Sequence, residues 1–315
     1  MSKHVLLTGA CGFVGKTLLP MLLAKGYRVT CTSISPTSLE GGGADWVTLD
    51  INNSAAVSRV IEQVKPSHVI HLAAQSHVPT SFRDPRNTWQ TNVMGTLNLL
   101  EAVKAHCSEA FFLFVSSSEV YGESFKAEVP LRESAACMPM NPYAASKRAA
   151  ELAVEQYFRQ GLAGVIARPF NHIGPGQSPE FVTASFAQQI AVIEAGKQKP
   201  VLQVGNLDAQ RDFLDVRDVC AAYLALLELA TVDIEERVFN IASGEPCRID
   251  DVLKLLLQQS SKEIGIEQDP QRMRPSDILL AAGDCSRIHS LSGWQASCDL
   301  SDTLAELLGY WRTQV

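Results

Sequence analysis

The 315-residue sequence predicts an α/β protein, a doubly wound parallel sheet followed by a smaller C-terminal lobe. Three observations carry that prediction. Short apolar runs alternate with longer amphipathic segments through the first half of the chain, as in a parallel sheet covered by helices on both faces. Three glycines, Gly9, Gly12 and Gly15, stand between the first apolar run and the first amphipathic segment. After Arg168 the alternation stops, and Pro169–Glu180 is rich in Gly, Pro, Asn and Gln, which marks a change of unit.

The predicted strands are His4–Thr8, Arg28–Thr32, Trp46–Leu49, His68–Leu72, Phe111–Ser116 and Val165–Arg168. Helices are expected over Phe13–Lys25, Ser54–Val64, Asn87–His106 and Tyr143–Gln160. Pro169–Glu180 reads as a long loop. Beyond it come a helix at Val182–Ala195, a strand at Val201–Val204, a helix at Asp215–Leu229, a strand at Val238–Ile241, and helices at Ile249–Ser260 and Leu304–Arg312. The expected division is residues 1–168 plus about 212–243 for the sheet domain, and 169–211 plus about 244–315 for the lobe. In such a sheet, ligands bind at the C-terminal ends of the strands.

Composition narrows the function classes. The apolar fraction is 46% and the charged fraction 19%, as in ordinary globular proteins. The net charge of −7 and the lack of a Lys/Arg cluster argue against nucleic acid or an anionic membrane as partner. The eight cysteines are scattered, with no CxxC pair and no zinc-like Cys/His spacing, so reduced thiols and no metal are expected. MSKHVLLTGA runs directly into a strand without a signal-peptide pattern, and no apolar stretch is long enough to span a bilayer. A cytoplasmic protein is expected.

In HVLLTGACGFVGKTLL, Gly9 suits a tight turn, Gly12 lets backbone approach a pyrophosphate, and Gly15 lets the helix lie close to the sheet. The free N–H groups and positive dipole end of that helix favour phosphate. The second strand ends in Thr32 and Ser33 without an acid to bind an adenosine ribose, which leans towards NADPH over NADH. No Arg follows it directly to hold a 2′-phosphate. Asp50 is either an acceptor for the adenine amino group or a solvated turn carboxylate.

NPYAASK sets Tyr143 and Lys147 four residues apart on one helix face, with Pro142 in the first turn. An ammonium about 6 Å from a phenol, at an effective dielectric of about 20, favours phenolate by roughly 3 kcal/mol, or about two pKa units. Tyr143 is thereby a candidate acid/base for carbonyl–alcohol interconversion. The strand Phe111–Ser116 breaks into hydroxyls at its C-terminal end, where one of them can bond the substrate oxygen. Glu119 is open to two readings, as a base for a carbon-bound proton or as a ligand for sugar or ribose hydroxyls.

GACGFVG, HLAAQSHV, the segment Asn92–Thr96, SSSEVYG and PYAASK together resemble the extended short-chain dehydrogenase/reductase family of nucleotide-sugar epimerases, dehydratases and reductases, built on a Rossmann domain. The resemblance spans nearly the whole chain. It implies Ser117, Tyr143 and Lys147 as the catalytic set, with Glu119 in the place of a dehydratase base. It also implies that Gly9, Gly12, Phe13, Val14, Gly15, Asp50, Ile51, Leu72, Ala73, Ala74, Tyr143 and Lys147 contact NADPH or NADH. Asn92 would be a structural residue positioning strand ends.

RPFNHIGPGQSPEF, VGNLDAQRDFLDVRDV and RPSDILL resemble most the branch that reduces GDP-4-dehydro-6-deoxy-mannose to GDP-rhamnose; the GDP-mannose 4,6-dehydratases come second. The resemblance implies a GDP-linked 4-keto-6-deoxy hexose as partner, with Asn171, Gln177, Glu180, Val182, Asn206, Arg211 and Arg274 around it. Arg211 and Arg274 have the fork geometry that clamps phosphate or ribose. AAQSHVPTSF and Glu119 point to the dehydratase form, whereas Pro169–Asp218 follows the reductase pattern. The other readings are a 4-epimerase that recycles its cofactor and a non-catalytic NADPH-binding protein. The family also implies a homodimer, packed through the helix from Tyr143, with its Ala145, Ala149, Leu152 and Ala153, and the helix containing Asn92–Leu100.

Overall fold

The computed structural model describes residues 3–35, 43–232, 234–272 and 278–315. In chain order its main elements are β1 His4–Thr8, α1 Phe13–Ala24, β2 Arg28–Ser33, β3 Asp45–Thr48, α2 Ser54–Val64, β4 His68–His71, α3 Val78–Arg83, α4 Pro85–Trp89, α5 Gly95–His106, β5 Phe111–Val115, α6 Pro142–Arg159, β6 Gly164–Pro169 and β7 Asn171–Ile173. They continue as α7 Val182–Glu194, β8 Val201–Val204, β9 Gln210–Asp215, α8 Val216–Glu228, β10 Val238–Ile241, β11 Pro246–Arg248, α9 Ile249–Gln258, β12 Gly265–Gln268, β13 Leu280–Ala281, α10 Ser286–Ser292 and α11 Leu300–Thr313.

Seven strands form one parallel sheet in the order β10-β6-β5-β4-β1-β2-β3. The chain winds outward from β1 to β3, then returns to β4 on the other side of β1 and winds the opposite way. The order therefore reverses between β1 and β4, and a crevice opens beyond their carboxyl ends. Apolar strands supply both faces. Leu18, Leu22, Val219 and Tyr223 cover one face through α1 and α8. Val57, Ile61, Leu99, Val103, Val154 and Phe158 cover the other through α2, α5 and α6. Each such buried side chain contributes about 1.5–3 kcal/mol.

Local chemistry fixes the helix starts. Asn53 caps α2 by accepting from the Ala56 N–H at 3.0 Å, and Asn141 caps α6 by accepting from the Ala144 N–H at 2.8 Å, with Pro142 at the first position. A third core, built from Phe186, Ile190, Phe213, Leu253, Leu256, Leu304, Leu307 and Trp311, gathers α7, α9 and α11 beside the carboxyl edge strands β7 and β9.

Two expectations are corrected. The helix expected over Asn87–His106 is interrupted: Gln90–Met94 form a π turn between α4 and α5. The extra residue turns Asn92 inward, where it is 1% exposed and hydrogen-bonded. Pro169–Glu180 is not wholly loop, because Asn171–Ile173 pair in parallel with Phe213–Asp215. A three-residue strand between Phe170 and Gly174 is too short to show a period. Among the described residues no helix is long and apolar enough to cross a membrane, and all eight cysteines are free thiols.

Candidate active site

The loop after β1 forms one wall of the crevice. Gly9 has φ +71°, and a Cβ there would lie 2.8 Å from Ala73 N. A Cβ on Gly15 would lie 2.6 Å from Ala10 Cα, Ala10 O and Gly9 O, so only glycine lets α1 start this close to the strand end. Gly12 is the N-cap of α1 and offers no side chain to the first-turn N–H groups. Those donors point out of an uncapped helix start, the arrangement that accepts a pyrophosphate. Phe13 and Val14 are the first two residues of that helix.

Ile51 is buried. Asp50 is exposed, and its carboxylate accepts from the Asn52 N–H at 2.9 Å, an Asx turn that leaves further acceptor capacity. Leu72, Ala73 and Ala74 follow β4 across the switch point, half-buried. The glycine cradle, the uncapped helix and the acid-free end of β2 fit a dinucleotide.

At the carboxyl end of β5, Ser117 and Tyr143 are both 8% exposed, and the Ser117 side chain acts on the phenol. Ser117 Oγ also accepts from the Glu119 N–H at 3.2 Å. One turn along α6, Lys147 Nζ donates to Val115 O at 2.6 Å and lies 4.7 Å above the Phe114 ring. β5 and α6 thus bring Ser117, Tyr143 and Lys147 together.

The electrostatics run against the expectation that Lys147 would lower the Tyr143 pKa. Burial pushes the phenol up to about 12, with the Ser117 side chain opposing the rise and the charge of Glu119 adding to it. Burial also drives Lys147 down to about 8, opposed by Glu151. The ammonium pays for its site through the Val115 carbonyl and the Phe114 ring face, while desolvation dominates the phenol. A protonated Tyr143 is a proton donor.

Glu119 is exposed, and its Oε2 accepts from Asn141 Nδ2 at 3.0 Å. The residue that caps the catalytic helix therefore also aims this carboxylate. Across the crevice Arg211 is half-buried and donates to Gln210 O at 2.8 Å. Burial lowers its pKa, and the charge of Glu119 opposes that shift, so the two groups face one another electrostatically.

The other expected substrate residues divide. Asn171 is exposed at the start of β7, and Val182 is 38% exposed at the start of α7. Glu180 lies 3.7 Å from His77 Nδ1, which joins the loop after β4 to the lobe. Gln177 is only 6% exposed. Its amide donates to His172 O at 2.7 Å and accepts from Thr183 Oγ1 at 3.2 Å, so it braces its own loop. Asn206 Oδ1 is turned back onto the Asp208 N–H at 2.9 Å. Arg274 lies outside the described residues.

Sequence reasoning missed His77, Asn141 and Asp212. Asp212 is 0% exposed, and its carboxylate accepts from Ser243 N, Ser243 Oγ and Gly244 N at 2.7, 2.7 and 3.1 Å. It ties β9, with Arg211, to the loop after β10. For Asn141 the signal was present: Asn before Pro at a helix start is a cap.

The model of the family described as GDP-mannose 4,6 dehydratase matches residues 6–307. The chain belongs to that family. It is 39% identical to GDP-6-deoxy-D-mannose reductase of Pseudomonas aeruginosa, over 100% of this chain and 99% of that one. It is 28% identical to GDP-mannose 4,6-dehydratase of Vibrio cholerae, over 98% of this chain and 93% of that one. The solved structure of RMD from Pseudomonas aeruginosa complexed with NADPH superposes with a TM-score of 0.86 at 37% identity, covering 100% of both chains. Of these two relatives, the higher identity is to the reductase.

Proposed function

We propose that this protein reduces the C4 ketone of GDP-4-dehydro-6-deoxy-D-mannose to GDP-D-rhamnose with NADPH or NADH. The observation that carries the reading is the buried Tyr143 phenol, kept protonated by burial at a pKa of about 12, with the Ser117 side chain acting on it. Ketone reduction consumes a proton at oxygen, and this group can give one. End-to-end identity of 39% with a GDP-6-deoxy-D-mannose reductase supports the same reading.

The glycine loop and the Leu72–Ala74 backbone hold the dinucleotide, with Asp50 and Ile51 at its adenosine end, and a bound reduced nicotinamide supplies the hydride for C4. Ser117 holds the ketone oxygen in line with Tyr143. Tyr143 donates its proton to that oxygen as negative charge develops there. Lys147, below about pH 8 an ammonium, stabilises the phenolate left behind. Arg211, Asn171, Val182 and Glu180 line the GDP-sugar side, with Arg274 as a further phosphate or ribose clamp. Residues 1–168 with about 212–243 form the dinucleotide part, and 169–211 with about 244–315 the sugar-nucleotide part. Leu152 on α6 and Trp89 and Met94 on the α4–α5 stretch are 50%, 42% and 43% exposed, and they are our candidates for the apolar face of a cytoplasmic homodimer.

A second reading, 4,6-dehydration, is favoured by Glu119, a carboxylate whose charge reaches Tyr143. The discriminating experiment incubates the purified protein with GDP-mannose alone, and separately with the 4-keto-6-deoxy sugar nucleotide plus NADPH. Stoichiometric NADPH oxidation only in the second mixture is expected. Conversion of GDP-mannose to its 4-keto-6-deoxy product without added reductant overturns the reductase reading.

A further inference from the structure

Beneath the crevice runs a chain of polar groups that the chemistry above does not use. The Ala73 N–H donates to Thr8 Oγ1 at 3.2 Å, and Thr8 Oγ1 lies 2.8 Å from His71 Nδ1. His71 Nε2 lies 3.0 Å from Thr96 Oγ1, whose hydroxyl donates to Asn92 O at 2.7 Å. Thr8, His71, Thr96 and Asn92 are each 0–1% exposed. From Asn92 the chain divides. Its side chain accepts from Gln75 N at 2.8 Å and donates to Gln75 O at 3.0 Å. It also donates to Ser146 Oγ at 2.9 Å, and Ser146 donates in turn to Tyr143 O at 2.7 Å.

The proton positions follow by elimination. A carbonyl only accepts, so the single hydroxyl proton of Thr96 is spent on Asn92 O. Thr96 Oγ1 must then accept from His71, which puts the proton on Nε2. Burial, with the Lys147 charge nearby, holds His71 down at about 3, so the ring is neutral and Nδ1 carries a lone pair. Nδ1 therefore accepts from Thr8, and Thr8 Oγ1 accepts from Ala73. Every hydrogen bond has one direction, and the ring has one tautomer. Imidazole suits the place because it carries a donor and an acceptor on separate edges of one rigid ring. An apolar ring of the same size would leave two buried hydroxyls without these partners.

We propose that His71 is a positioning residue for the transfer step: locked as the Nε2–H tautomer, it fixes the Leu72–Gln75 backbone, against which the dinucleotide lies, relative to the π turn that holds the catalytic helix. The proposal rests on the reductase reading above. One end of the chain sets the loop after β4 and the other the backbone carbonyl of Tyr143, so hydride source and proton donor are registered through one buried path. The π turn has a place in this. It carries Asn92, whose amide bonds both the loop and α6.

The test uses His71→Leu, which removes both bonds, His71→Gln, which restores one donor and one acceptor, and Thr8→Val, which keeps the ring but cuts the Ala73 link. Turnover of the 4-keto-6-deoxy sugar nucleotide is measured with NADPH and with NADPH deuterated at the transferred hydrogen; melting temperature and NADPH Kd are measured alongside. A misplacement of up to about 1 Å costs turnover on the order of 10²-fold. His71→Leu is expected to show such a loss per folded molecule, with a larger deuterium effect on kcat and recovery of most of the rate in His71→Gln. Thr8→Val is expected to raise the deuterium effect and weaken NADPH binding several-fold.

A lowered melting temperature with an unchanged isotope effect and unchanged NADPH affinity would mean that His71 only stabilises the fold, and would overturn the proposal. If His71→Leu does not fold, Thr8→Val decides by the same two readouts. Independently of turnover, the ¹⁵N shifts of the wild-type imidazole are expected to report a neutral Nε2–H ring from about pH 5 to about pH 9. An Nδ1–H ring, or titration in that range, overturns the proposal whatever the reaction. Absence of NADPH oxidation by the wild type overturns the reductase reading instead; the ¹⁵N shifts and the NADPH affinity of Thr8→Val then still decide the proposal.

Discussion

Replacing Gly15 with Ala tests the phosphate loop at its tightest point. The new Cβ would meet Ala10 Cα, Ala10 O and Gly9 O, all at 2.6 Å and all backbone. Ordinary contact begins at 3.4 Å, so the start of α1 must retreat by roughly 0.8 Å. A first-turn N–H that donates to a pyrophosphate oxygen at about 2.9 Å is then about 3.7 Å away, outside hydrogen-bond range. Losing one or two such charge-assisted bonds costs about 1.5–3 kcal/mol each. The expected result is an NADPH Kd raised at least about tenfold, read by quenching or transfer of nicotinamide fluorescence, with folding stability reduced by about 1–3 kcal/mol. Gly12→Ala is the control for fold damage: its Cβ meets only Gly9 O, at 3.2 Å, so melting should change little while NADPH binding still weakens. A Gly15→Ala protein that binds NADPH within threefold of the wild type would refute the assignment of this loop to the pyrophosphate.

Tyr143→Phe should lower kcat about 10²–10⁴-fold while leaving NADPH affinity within a few-fold, because the ring still packs and only the proton donor is gone; a variant keeping a tenth of the rate removes Tyr143 from the mechanism. Glu119→Gln should retain far more activity, since ketone reduction removes no carbon-bound proton and the amide can still accept from Asn141; a loss equal to that of Tyr143→Phe would favour the dehydratase reading. Arg211→Ala should raise the KM for the sugar nucleotide by about 1.5–3 kcal/mol equivalent with kcat less affected, and an unchanged KM would return Arg211 to a structural role. Lys147, lowered by burial to about 8, is charged below that pH and neutral above it, so kcat should fall as pH rises through about 8 while Tyr143 stays protonated. Because its folded pKa lies below the unfolded 10.5, the unfolded chain binds the extra proton, and this group's contribution to stability improves as pH rises from about 8 towards 10.5. A flat rate profile up to pH 10 would contradict this.

The parts of the fold that were legible in the sequence are those specified locally. α2 runs over Ser54–Val64 as its spacing of Val57, Val60 and Ile61 requires, with Asn53 as cap. β1, β8 and β10 carry their apolar runs to the expected ends. The glycine loop and the Tyr143–Lys147 spacing were legible because turn geometry and the helix repeat act within a few residues. β9 was not. Gln210-Arg211-Asp212-Phe213-Leu214-Asp215 is half charged, and its strand identity depends on pairing with β7, β11 and β13. Asp212 tolerates full burial only because three N–H and O–H donors from Ser243 and Gly244 meet it.

The same division explains why the charges were misjudged where the motifs were not. From spacing alone Lys147 acts on Tyr143 as one charge at a distance, and the phenol pKa falls. Desolvation depends on what β5 and α6 pack around the pair, which no local pattern encodes, and it reverses the sign. Glu119 is subject to the same limit. SSSEVYG leaves both readings of Glu119 open, because what the carboxylate meets is set by Asn141, 22 residues away, and by Arg211 on β9. Those two partners hold Glu119 by a hydrogen bond from Asn141 and by the charge of Arg211, which orients it. A carboxyl group fixed in this way can accept from a sugar hydroxyl without any proton leaving carbon, and that task is compatible with a Tyr143 that gives its proton rather than taking one.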